Sequence, residues 1–171
     1  MTFDVAAVNA LISAVESISM TTGQFRRVNT HEPKSAPGNG LTNAIWAQDI
    51  APVPEGSGLA STSGYVVLTS RIYGSMMAKP EDLVEPKLMT AVTVLLGAYS
   101  ADFTLGGTIK NIDLLGMYGE SMRAQAGYMT IGSETFRIYD ITIPCVVNDM
   151  WTQAALCRYL RVVLTSGGDF V

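Results

Sequence analysis

Proton-transfer chemistry in this chain would have to begin at His31, its single histidine, because a Ser, Thr or Cys nucleophile needs a base beside it. His31 stands in a proline-rich stretch, and no G-x-S-x-G elbow occurs, so it reads as a solvated loop side chain. Cys145 and Cys157 lack metal or redox spacing, and with one histidine they make no familiar zinc set. Both are expected to be buried small hydrophobes. Leu105-Gly106-Gly107-Thr108 lacks the spacing of a phosphate loop and reads as a turn into a strand. Asp102 and Asp113 could pair as carboxylates for acid and base work. Their plainer readings are a cap for Asp102 and an edge charge that discourages aggregation for Asp113. Asn148-Asp149 is expected to be a turn, with Trp151 a packing or interface residue. No enzyme activity, metal or cofactor is expected from this set.

The remaining polar candidates are Arg26, Arg27, Arg123, Arg158 and Arg161, either solvated or paired with acids across subunit boundaries. Met76, Met77, Met89, Met117, Met122, Met129 and Met150 are expected mainly as core fill. Fifteen acids against 11 Lys and Arg give a net charge of -4, which argues against tight generic binding to a phosphate backbone. Only 15% of residues are charged, so other chains are expected to cover part of the surface.

The elements that position these residues fit one domain, since 171 residues with 48% apolar content suffice for a single core. Residues 3–20 carry apolar side chains at helical spacing, and Gly23 stops the helix. Asp4, Asn9 and Glu16 within it exclude a signal peptide or membrane span, so the protein is placed in the cytoplasm of its producing cell. Residues 24–30 read as an exposed or edge strand. Residues 31–63, dense in proline and glycine around an apolar island at 41–50 that contains Trp46 and is a candidate strand, read as a long arm ordered by a neighbour. A strand at 64–72 precedes a helix led by Pro86, with Glu85 at its N-cap boundary and a separate short helical piece before it at 79–84. Residues 108–115 read as a strand. Residues 124–131 and 135–147 make a hairpin around Gly132-Ser133. The expected fold class is α+β, a mainly antiparallel sheet with two helices packed on one face, plus the arm at 31–63 and a C-terminal extension at 154–171.

The segments DFTLGGTIKNIDLLGMYG and AQAGYMTIGSETFRIYDITIPCVVNDMW, with TSRIYGSM and the Pro86-led helix before them, resemble tail terminator proteins of long-tailed bacteriophages that infect actinobacteria. The resemblance covers roughly residues 65–153. It implies a virion protein, assembled in the host cytoplasm, that forms a hexameric ring on the head-proximal end of the tail tube. Such a ring ends tube growth and joins the tail to the neck. Implied partners are further copies of the chain, the tail tube protein and the head-completion or stopper protein, with DNA passing through the lumen without sequence-specific binding. No membrane is involved. Another head-tail connector is the alternative, with a small-ligand binding module or enzyme outside it. The expected subunit and partner contacts are Arg26, Arg27, Leu41, Ile45, Trp46, Ile50, Tyr118, Arg123 and Trp151, with Tyr65 a further aromatic anchor.

Overall fold

Helix α1 (Val5–Thr21) starts where the Asp4 carboxylate accepts a hydrogen bond from the Ala7 backbone N–H at 3.0 Å. It buries Leu11, Ile12 and Val15 on one stripe and gives way to Gly23, whose φ of 66° is open to glycine at little cost. The computed structural model describes residues 3–57, 61–76 and 81–152. The expectations for Met77, Cys157, Arg158, Arg161 and the C-terminal extension at 154–171 lie outside the described residues.

Helix α2 (Val84–Ala101) follows directly on a 3-10 turn, Glu81–Leu83. The helix therefore begins two residues before Pro86, and Glu85 lies inside its first turn, where a missing proline N–H breaks no intrahelical bond. Leu88, Ala91, Val92, Leu95 and Tyr99 form its buried stripe.

Six strands make one curled sheet: β1 (Arg27–Asn29), β2 (Thr42–Ser57), β3 (Ser61–Ser75), β4 (Asn111–Ile112), β5 (Arg123–Ile131) and β6 (Glu134–Thr152). Their order is β1-β2-β3-β6-β4, and β5 pairs with β6 further along the same strand. Every pairing is antiparallel except the short β1–β2 contact. The α+β class with two helices on one face is as expected. Side chains alternate across the sheet. Ile45, Val66, Leu68, Ile72, Ile141, Ile143 and Cys145 meet both helices in the main core. On the helix-free side, Ala44, Tyr73, Phe136 and Ile138 form one small cluster, and Val53, Tyr65, Val67 and Val146 another.

Three expectations are corrected. Residues 31–63 are not one arm, because the 16-residue strand β2 occupies Thr42–Ser57 and β3 starts at Ser61. Pro52 and Pro54 are tolerated because β1 covers only Thr42–Ala44, so the outer side of β2 needs no N–H donor at the prolines. The strand at 108–115 shrinks to Asn111–Ile112, since the turn through Leu105, Gly106 and Gly107 runs on into Thr108 and Ile109, whose N–H groups donate to Leu105 O and Thr104 O, and Asp113 already gathers the next loop. Asn148-Asp149 is not a turn but part of a bulge inside β6, where Thr62 pairs with Trp151 and Gly64 with Val147. Asp149 takes φ 51°, its carboxylate accepts a hydrogen bond from Ser61 Oγ, and Met150 folds inward over Gly64. A Cβ at Gly64 would lie 1.5 Å from Met150 Sδ, so this crossing requires glycine.

Candidate interaction surfaces

The loop after β4 is built around one buried carboxylate. Asp113, 3% exposed, accepts hydrogen bonds from the backbone N–H groups of Gly116, Met117 and Tyr118 at 2.8 to 2.9 Å. It is therefore not an exposed edge charge. Asp102 instead accepts from Gly106 N with both carboxylate oxygens, at 2.9 and 3.0 Å. The Tyr65 hydroxyl closes the base of the loop by donating to Glu120 O at 2.6 Å and accepting from Glu120 N at 3.0 Å. Loss of solvent around that phenol pushes its pKa up to about 12, against the opposing effect of the Glu120 backbone bond. Gly116, at φ 77°, has Ser121 N only 3.0 Å from where a Cβ would sit. The result is a knob of fixed shape that presents Leu115 at 86% exposure and Met117 at 79%. Tyr118 packs beneath it on the helix-free cluster.

On the other side of the sheet lies a recess of about 560 Å³, lined chiefly by Phe3, Ala7, Leu11, Val147 and Met150 with Asp4 and Asp149 at its rim. Its walls are the first turns of α1 and the β6 bulge. The knob and the recess are thus apolar, solvent-facing and on opposite faces of one sheet.

Between the two helix-free clusters runs a polar belt. Arg71 donates to both oxygens of Asp140, through Nη2 at 2.8 Å and through Nε, and to Glu32 at 3.2 Å from the 30–41 loop. Its guanidinium lies 5.1 Å from the Trp46 ring centroid. The hydrogen bond to Asp140 holds the guanidinium pKa above its ordinary value. A groove of about 590 Å³ continues the belt past Gln48, Thr69, Thr142, Gln125 and Arg123. On the helix side Arg137 donates to Glu85 at 2.9 Å and Tyr139 Oη to the same carboxylate at 2.7 Å, which lowers the Glu85 pKa.

The expected contact residues do not form one patch. Ile45 is fully buried against the helices and cannot meet a neighbour, a correction that follows from its side chain lying on the helix-covered face of β2. Trp46 is half-buried beneath Arg71, Leu41 packs against the main core, and Tyr65 is 6% exposed. Arg26 and Arg27 are exposed at the β1 edge, with Arg26 Nη1 donating to Asn39 O at 3.0 Å. Ile50 and Trp151 are partly open, at 45% and 37%. Arg123 is exposed and pairs with Glu120 at 3.0 Å. Sequence reasoning missed Leu115 and assigned Met117 to the core; glycines on either side of Met117 were the available signal. Cys145 is the buried small hydrophobe expected, and burial pushes its thiol up to about 12. Among the described residues no group of three His, Cys, Asp or Glu side chains could hold a metal ion.

No protein-family model matches the chain, and no curated protein matches it. Among solved structures the chain is similar to the sheath/tube terminator of an extracellular contractile injection system (PVC) in its extended state, with 13% identity and a TM-score of 0.43. That similarity covers 99% of this chain and 74% of the other.

Proposed function

We propose that the protein is a ring-forming structural subunit of a phage tail, which caps the tube end and offers the neck a surface that no further tube subunit fits. The reading rests on the sequence resemblance over residues 65–153. The observation that carries it is the pair of apolar features on opposite faces, the Leu115–Met117 knob and the recess beside α1. A closed ring needs two different surfaces on each subunit, one meeting the other in the next copy. The knob is already fixed by Asp113 and Tyr65, so docking orders little new chain and the association cost falls accordingly. Low charge density fits a protein whose surface is covered by neighbours.

The test is electron microscopy of purified protein and of a tail-assembly mixture with and without it. Rings, and tubes of uncontrolled length when the protein is omitted, are the expected results. Fixed-length tails without it refute termination, and a failure of those tails to join heads would favour a head-tail connector. The doubly substituted Leu115→Asp, Met117→Asp protein should keep its thermal midpoint and lose rings, because neither side chain contributes to the core.

A further inference from the structure

Sheet edges expose unpaired backbone donors and acceptors, and natural proteins blunt them with short strands, charge, proline or bulges. This sheet guards two of its edges in those ways. β1 has three residues beside exposed Arg26 and Arg27. Beyond β1, β2 breaks register between Ala47 and Asp49 and carries Pro52 and Pro54. Strand β5 has none of these devices beyond its first residue, Arg123, whose charge pairs with Glu120. It runs nine residues, RAQAGYMTI, without a register shift against β6, contains no Pro, Lys, Asp or Glu, and buries none of its residues.

The same nine residues complement themselves when antiparallel. With Gly127 at the centre, Arg123 faces Ile131, Ala124 faces Thr130, Gln125 faces Met129 and Ala126 faces Tyr128. The bulky Tyr128, 66% exposed, meets an alanine, and no like charges oppose each other. We propose that β5 pairs with β5 of a second copy across a two-fold axis through Gly127, joining two sheets edge to edge. The contact is isologous, unlike the head-to-tail contacts of a ring, so it goes beyond the capping reading and does not depend on it. It occupies the edge in the free subunit and must open wherever assembly needs that edge.

The experiment combines sedimentation equilibrium with amide exchange by NMR on the full chain. Dimers that form with rising concentration, and slowed exchange at alternate β5 amides, are expected. Gly127→Lys would set two like charges opposite each other, and its Cβ meets only Ile138 carbons at 3.4 and 3.6 Å, an ordinary contact within the subunit. It should weaken the dimer by about threefold to fivefold, whereas Gly127→Thr should leave it intact. A monomer at all concentrations, a dimer indifferent to Gly127→Lys, or β5 amides unchanged on association overturns the pairing. The wild-type exchange data decide even if a variant misfolds. Rings whose β5 amides exchange freely would refute the pairing and leave capping standing; dimers without capping would do the reverse.

Discussion

Replacing Gly64 by alanine should cost more than any other single methyl added to the described strands, because of what already stands there. The added carbon would lie 1.5 Å from Met150 Sδ, 2.8 Å from Cγ and 3.0 Å from Cβ. A rotation of the thioether clears the sulfur. It does not clear Cβ, so the β6 bulge must shift as well. Gly64 does not use positive φ, so the cost is steric and not conformational. Overpacking of this kind costs roughly 1–3 kcal/mol, and two unavoidable contacts place Gly64→Ala near ~3 kcal/mol. Met150, 1% exposed, should cost about 2–3 kcal/mol on truncation to alanine, the low end for buried methionine because it also borders the open recess. Independent effects would sum to roughly 5–6 kcal/mol; relief of the sulfur and Cγ overlaps should hold the double variant near ~4 kcal/mol, a coupling of about 1–2 kcal/mol. Urea unfolding of the four proteins, with m values unchanged, reads this directly. Additivity to within about 0.5 kcal/mol would refute the packing argument.

Asp113→Ala should destabilise by about 2–4 kcal/mol, since three N–H groups lose a buried charged acceptor, with Asp113→Asn intermediate. Limited proteolysis should then cut residues 114–119 before global unfolding, and an uncut loop would contradict the knob's dependence on this carboxylate. Glu85 has its pKa lowered, first by Arg137 and then by Tyr139, so its contribution is complete above the unfolded carboxylate value of about 4.3 and is lost as pH falls through the folded value. Because Glu85 is about half exposed, at 48%, the effect should stay below about 1 kcal/mol, and the stability difference between wild type and Glu85→Gln should shrink toward zero in that acid range.

The helices and the β5–β6 hairpin were legible because their signals are local: a 3.6-residue apolar period ending at Gly23, and Gly132-Ser133 between two strand-forming runs. β2 was legible only as far as the island at 41–50, because Pro52 and Pro54 stop a strand only where an N–H must be donated, and that depends on how far β1 extends. Asp113 is a similar case. Its burial depends on Tyr65 and Glu120 closing the loop, a long-range contact invisible in the DLLGMYG run. The interface residues were chosen by chemical type, and aromatic or arginine character does not distinguish Trp46 under Arg71 from an open anchor. Leu115 stands exposed on a loop whose next three N–H groups are bound from within by Asp113.

The central β3–β6 pairing also sets the order in which the chain can fold. Ser61 meets Thr152 and Ser75 meets Phe136, so the whole of α2, β4 and β5 must be made before or during that zippering. The β2–β3 and β5–β6 hairpins close locally, but neither has a core until the other pairs with it and both helices cover their common face. Folding dominated by so distant a pairing is slow. During that interval the two hairpins expose β3 and β6 as unpaired edges, making the half-folded chain, more than the finished one, the species most prone to wrong association.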